Sequence, residues 1–228
     1  MKNKKILIFG SGSDIAVELI KLLEKNNTII KISSKKNSNF DNDNNNEFYS
    51  TFQNYETVDN IIKKINEIDI VLIFNGMLKS FKEKKFERER ELNNINFLYP
   101  TYIISKIIEK FENKKIHIAA TSSVAGERGR FKNTAYGSNK AALTNYLSSI
   151  RQKYSNINVT TIILGTVKTK MTTEIKQPKF LIDDPTDVAK LIYKGLSEKK
   201  EIIISYKWRL ITFFIKIIPE KIFKRLKF

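Results

Sequence analysis

The chain has 228 residues, 41% of them apolar, a composition that suits one large globular α/β domain and excludes a disordered chain. It has no cysteine and a single histidine, His117, which excludes a disulfide framework, a thiolate metal site and a multi-histidine metal cluster. The formal charge of +17 calls for an acidic partner or surface, or else reflects lysines spread over the whole chain.

The first ten residues, "MKNKKILIFG", enter a strand pattern almost at once, with no long apolar run or small-residue cleavage site, so a cytosolic protein is expected. The strand at 5–9 breaks on Gly10-Ser11-Gly12-Ser13. A helical pattern then places Ile15, Leu19, Leu22 and Leu23 on one face. Further strand patterns follow at 28–33, 47–51, 69–74, 115–120, 158–164 and 201–205. Helical patterns lie between them at 57–68, in a long segment near 84–112, at 134–154 and at 184–199. The Asn-rich stretch 37–46 is expected to be a loop. Strand–helix alternation of this kind predicts a doubly wound parallel sheet of about seven strands with helices on both faces, in one domain over 1–205. Residues 206–228 differ. They mix large apolar residues with Lys and Arg in runs too short and too charged to span a bilayer, which needs roughly 20 apolar residues.

The first strand-to-helix turn of such a sheet is a ready phosphate site. Glycines allow close backbone approach, and the helix N-terminus offers N–H groups and a positive dipole end. Gly10 and Gly12 suit the first task, and Ser11 and Ser13 add hydroxyls. Asp14 is placed as the helix cap, with its charge expected to turn away from a phosphate. A plain structural turn is the alternative. A second signal is Tyr136 and Lys140, at i and i+4 on one helix face. A nearby ammonium favours the phenolate, so the tyrosine is expected to titrate below its free value and to exchange a proton near neutral pH. Tyr102 and Lys106 share that spacing but sit in an apolar stretch, and are read as packing and surface charge. Gly10–Gly12, Asn75–Gly76, Ser123 and Tyr136–Lys140 all fall at the C-terminal ends of expected strands, where ligands bind in parallel sheets. His117, inside the fifth strand, is read as packing, and Glu67 and Asp69 as caps.

With these motifs in order, the chain resembles the short-chain dehydrogenase/reductase family over nearly its whole length. "FGSGSDIA" stands at the family's glycine motif, with Asp14 and Ala16 where glycines are usual. "FNGM" keeps Asn75 and Gly76, "INFLYP" puts the family's asparagine role on Asn96, "TSSVAG" supplies Ser123, and "YGSNK" supplies Tyr136 and Lys140. "LGTVKT" matches a Pro-Gly segment with Leu164 for proline. The resemblance implies catalysis by Ser123, Tyr136, Lys140 and Asn96, the last supporting a water relay. It implies dinucleotide binding by Gly10, Ser11, Gly12, Ser13, Asp14, Ile15, Asn75, Gly76, Tyr136, Lys140, Gly165, Val167 and Thr169, and no metal. After the second strand come Ser33, Ser34 and Lys35 rather than an acid. Serines and lysines accept a 2′-phosphate, so NADP(H) is expected in preference to NAD(H), in the direction of reduction.

The tail, with "GERGRFKNTAYGSNKAAL" and "GTVKTKMT", is similar to reductases of decaprenylphosphoryl 2-keto-pentoses and of bacterial surface-polysaccharide synthesis. That likeness implies a keto-sugar on a polyprenyl phosphate, met by peripheral contact at the inner membrane face. Trp208, Phe213, Phe214, Ile217 and Phe223 are then expected to face lipid, on a helix broken near Pro219. The alternatives are a tail that packs on the domain or on a second subunit of a homodimer, a ketoreductase of another class such as 3-oxoacyl thioesters, and a non-enzymatic dinucleotide- or nucleic-acid-binding protein. No specific nucleic-acid motif is visible.

Overall fold

A computed structural model describes residues 1–34, 46–51, 54–79, 83–131, 133–175 and 177–226. Seven strands form one parallel sheet: β1 (Lys5–Phe9), β2 (Thr28–Ser33), β3 (Glu47–Tyr49), β4 (Ile70–Ile73), β5 (Ile116–Ser123), β6 (Ile157–Leu164) and β9 (Ile202–Ile203). Their order is β3-β2-β1-β4-β5-β6-β9, so the direction of winding reverses between β1 and β4. The crevice at the C-terminal ends of those two strands is where such sheets bind ligands. The expected seven strands are all present. Between β6 and β9 the chain adds a small sheet of β7 (Thr166–Val167) and β8 (Ile182–Asp183) that two-residue strands do not betray by periodicity.

The pleat of β1 divides the core. Leu7 and Phe9 point to one face, packed under α2 (Tyr55–Lys64), α4 (Tyr99–Phe111) and α5 (Thr134–Lys153). Ile6 and Ile8 point to the other, under α1 (Asp14–Leu23) and α6 (Pro185–Ser197). On α1 the buried residues are Ile15, Ala16, Leu19, Ile20 and Leu23, close to the stripe expected from the sequence. His117 is buried in β5 and bonded through Nε2 to the Thr160 hydroxyl at 2.7 Å; burial pulls it down to about 4, so it packs as a neutral ring. Glu67 and Asp69 are not caps. They reach β1 instead, with Asp69 taking Lys4 Nζ at 2.7 Å and Lys5 N at 2.9 Å.

The long helical segment is interrupted. α3 (Lys85–Asn93) runs through a π-turn at Asn94–Leu98 into α4. Pro100, with no N–H to give to the Asn96 carbonyl, removes the α-helical bond that would oppose the wider turn.

The tail packs on the domain. α7 (Tyr206–Ile217) ends before Pro219, which starts the short α8 (Glu220–Phe223). Trp208 and Phe223, expected to face lipid, are buried instead. Trp208 lies against Val124 and Ile163, and its indole N–H donates to Asp183 at 3.0 Å. A Cβ on Gly165 would lie 1.9 Å from the Trp208 ring, so this glycine is the seat of the indole. Phe213, Phe214 and Ile217 stay more than half exposed, as expected of a face turned away from the domain. Among the described residues no helix is long and apolar enough to cross a membrane.

Candidate active site

Gly10 follows β1 with φ 73°, in the left-handed region, and a Cβ there would lie 2.9 Å from the Phe74 carbonyl carbon. The turn can therefore pass flush against β4 before entering α1. Ser13 caps α1, its hydroxyl accepting from Ala16 N at 3.2 Å. Asp14, expected as the cap, is the first helical residue instead. Its Oδ2 accepts from Lys170 N at 2.7 Å and ties the glycine turn to the segment after β7.

A cavity of about 1340 Å3 opens at this point. Gly10, Ser11, Gly12, Ser13, Asp14 and Ile15 form one wall. Ser33 and Ser34 extend it beyond β2, while Lys35 lies outside the described residues. Asn75 and Gly76 line it after β4, and Gly165, Val167 and Thr169 after β6. Ser123, Tyr136 and Lys140 close the far end. Asn75 Oδ1 is buried and has no hydrogen-bond partner among the described residues, a polar atom left for a ligand.

The far end is built by β5 and α5. Ser122, just before Ser123, donates to the Lys140 carbonyl at 3.0 Å and lies 2.6 Å from the Thr144 hydroxyl, which fastens α5 to the end of β5. Ser123 ends the strand, and its hydroxyl accepts from Ala125 N at 3.1 Å. Lys140 is 2% exposed, and its ammonium donates to the Thr121 carbonyl at 2.9 Å, 5.9 Å from the Tyr136 ring centre. Burial pulls that ammonium down to about 8. The same burial pushes the Tyr136 phenol above its ordinary value, against a smaller opposing pull from a hydrogen bond to Ser123. The expected depression of the tyrosine is overturned. Desolvation is the largest cause, and Lys140 is not among the groups that shift the phenol.

Asn96 sits in the π-turn, fully buried and outside the cavity wall. Its amide donates to the Met77 and Leu92 carbonyls at 2.8 and 2.9 Å, and its Oδ1 accepts from Met77 N at 3.0 Å. A Cβ on Gly76 would lie 3.5 Å from Asn96 Oδ1 and from Lys140 Nζ alike, so the asparagine holds the Asn75–Met77 loop beside the lysine. Ser122 and the Asp14–Lys170 bond escaped sequence reading. The first is one more small residue in "TSSVAG", and the second joins residues 156 apart in sequence.

The order of parts is therefore a glycine turn at a switch point, an Asn-Gly loop, a strand-end serine and a Tyr/Lys pair on the following helix, around one cavity. Against known proteins, the short chain dehydrogenase profile matches residues 4–179.

The chain belongs to the short chain dehydrogenase family.

An "Uncharacterized oxidoreductase" of Myxococcus xanthus is 27% identical over 163 residues, covering 68% of this chain and 64% of that protein. The chain's match thus spans a little under two thirds of that relative's length. Among solved structures, a short chain dehydrogenase from Burkholderia cenocepacia in complex with NADP superposes with a TM-score of 0.82 at 13% identity, covering 99% of this chain and 98% of that one. One from Burkholderia phymatum in complex with NAD gives 0.76 at 13% identity, covering 94% and 92%. At such identities the likeness shows the shared fold. The chemistry must be argued from this chain's own residues.

Proposed function

We propose that the protein reduces a ketone to an alcohol with NADPH. The observation that carries this reading is that Ser123, Tyr136 and Lys140 meet at the end of one cavity whose other wall is the glycine turn of α1. The residues fit a dinucleotide: a glycine cradle at a helix N-terminus for its phosphates, the Asn75 acceptor, and a buried ammonium. NADPH, when bound, supplies the hydride that goes to the carbonyl carbon. Tyr136 gives the phenolic proton to the carbonyl oxygen, so new C–H and O–H bonds replace the π bond of the carbonyl and leave a C–O single bond. Burial holds Tyr136 protonated at neutral pH, which suits a proton donor and hence reduction. Ser123 is placed to donate to the same oxygen, Lys140 to meet the phenolate with its charge, and Asn96 to position the loop beside Lys140. Ser33 and Ser34, neutral where an acid would repel a 2′-phosphate, support NADPH over NADH. The test is loss of nicotinamide absorbance on adding ketones to the full chain. Turnover with NADPH exceeding that with NADH is expected; ketone-independent absorbance with either cofactor would end the reading.

The finer reading is a keto-sugar on a polyprenyl phosphate, reduced at the inner membrane surface. Its support is the outer face of the tail, where Phe213, Phe214 and Ile217 stand exposed among Lys and Arg. Each basic residue near an anionic surface contributes about 1 kcal/mol, enough in number for reversible, salt-sensitive attachment. Burial of Trp208 and Phe223 favours a second reading, in which the tail is chiefly a packing element of a ketoreductase for another substrate class. Co-sedimentation of the full chain with phosphatidylserine-containing vesicles at low salt separates them. Binding lost in Phe213→Ser/Phe214→Ser supports the first reading, and a chain that stays in the supernatant supports the second.

A further inference from the structure

Beside the catalytic cavity lies a second pocket of about 430 Å3, between the loop before α5 and the tail. The two share a wall of three residues, Ala125, Arg130 and Asn133. Arg130 is the charged member of that wall. Its Nη2 donates to the Val124 carbonyl at 3.1 Å, which holds the guanidinium one residue from Ser123. Burial works against its charge and lowers its affinity for the proton. Asn133 takes φ 64°, a left-handed turn that swings the chain from this wall into α5 three residues before Tyr136. Behind the wall the pocket is closed by α8. Phe223 lies under the Arg128 guanidinium at 3.9 Å, and Arg128 is held by the Ile215 and Ile218 carbonyls and by Glu220. Lys224 adds a third cation to the pocket, beside Arg128 and Arg130, with Glu220 as its one acid among the described residues. Arg128 fixes the tail, and Arg130 lines both spaces, the first of which is also lined by Tyr136.

We propose that Arg130 binds a phosphate group of the substrate, and that the pocket behind it receives the part of the substrate beyond that phosphate. The inference rests on the reading that Ser123 and Tyr136 grip the substrate carbonyl. A planar guanidinium presents two parallel N–H groups to a phosphate, and in a partly buried wall such charge-assisted bonds are stronger than in open water. The substrate is accordingly a keto compound with a phosphate a few atoms from the reacting carbon, and a neutral ketone uses only half of the site.

The test reads binding apart from turnover. Methyl phosphate is titrated calorimetrically into the full chain saturated with NADPH, so that the cofactor's own phosphate positions are filled. Wild type is expected to bind it, Arg130→Met to bind about 10- to 100-fold more weakly, and Arg130→Lys, which keeps the charge without the fork, to fall between. Arg130→Lys also serves should Arg130→Met fail to fold. The paired measurement is the ratio of kcat/KM on dihydroxyacetone phosphate to that on dihydroxyacetone, which is expected to drop about tenfold or more in Arg130→Met. No methyl phosphate binding by wild type, or equal binding by wild type and both variants, overturns the proposal. Binding that depends on Arg130 in a chain that reduces neither ketone upholds the phosphate site and counts against the reductase reading. Tyr136-dependent reduction with phosphate binding indifferent to Arg130 does the reverse.

Discussion

Tyr102–Lys106 on α4 and Tyr136–Lys140 on α5 are the same pattern on two helices that cover the same face of the sheet. On α4 the Tyr102 hydroxyl donates to Asp59 of α2 at 2.7 Å, and Lys106 reaches out to Glu109 at 2.9 Å. Burial and then Asp59 raise that phenol, and Glu109 raises that ammonium. On α5 no acid stands among the causes that shift either group, and burial raises the phenol and lowers the ammonium. Spacing of four residues sets two side chains on one helix face, but what that face meets is set elsewhere. α5 begins at the C-terminal end of β5, where Ser122 fastens it, so its Tyr/Lys pair looks into the cavity. The pair on α4 meets a neighbouring helix and solvent.

The largest effect expected of this contrast is on turnover. Tyr136→Phe removes the proposed proton donor and is expected to cost about 10²–10⁴-fold in kcat, with NADPH affinity by fluorescence titration largely kept. A Tyr136→Phe chain with near wild-type kcat would mean that the two pairs have been assigned the wrong way round.

Next comes stability. A depression of the Lys140 ammonium from 10.5 to about 8 corresponds to about 3 kcal/mol held against folding at neutral pH. Between pH 8 and 10.5 the unfolded chain keeps a proton that the folded chain has released, so wild-type stability rises with pH across that window. Lys140→Met removes the penalty. The variant is expected to be more stable than wild type in urea at pH 7, by up to about 3 kcal/mol less the lost bond to the Thr121 carbonyl. The gap should close towards pH 10.5, while turnover falls about 100-fold or more at every pH. A variant less stable than wild type at pH 7 would show that the Lys140 ammonium is not penalised by its burial.

The contrast also marks what the sequence could and could not say. The seven sheet strands were legible because strands buried on both faces are continuous apolar runs, as in "KILIF" and "IVLI". The shared cavity lining was legible because parallel topology gathers strand ends, so Gly10, Asn75, Ser123 and Tyr136 meet although they are scattered in the chain. Choices between equivalent local partners were not legible. Ser13 and Asp14 are both good caps, and only the Lys170 backbone 156 residues away decides between them. The tail's apolar face reads as amphipathic whether it meets lipid or protein. Trp208 turned inward because Gly165 leaves room for an indole, a fact of packing and not of pattern. The Tyr136 shift was misjudged for a related reason, since a neighbouring charge is visible in sequence and burial is not.

The smallest effect is expected on α4. Tyr102→Phe removes the hydroxyl that donates to Asp59 but keeps the ring, which packs edge-on against Tyr55 with centroids 4.7 Å apart. Asp59 is only partly buried, so water can replace the lost donor. The cost should be that of one charge-assisted bond at a half-solvated site, about 1 kcal/mol in urea unfolding at pH 7. Turnover should stay near wild type, since neither Tyr102 nor Asp59 lines the cavity. A kinetic defect in Tyr102→Phe approaching that of Tyr136→Phe would erase the distinction between the two helices, whereas a purely thermodynamic one sets Tyr102 apart from the chemistry.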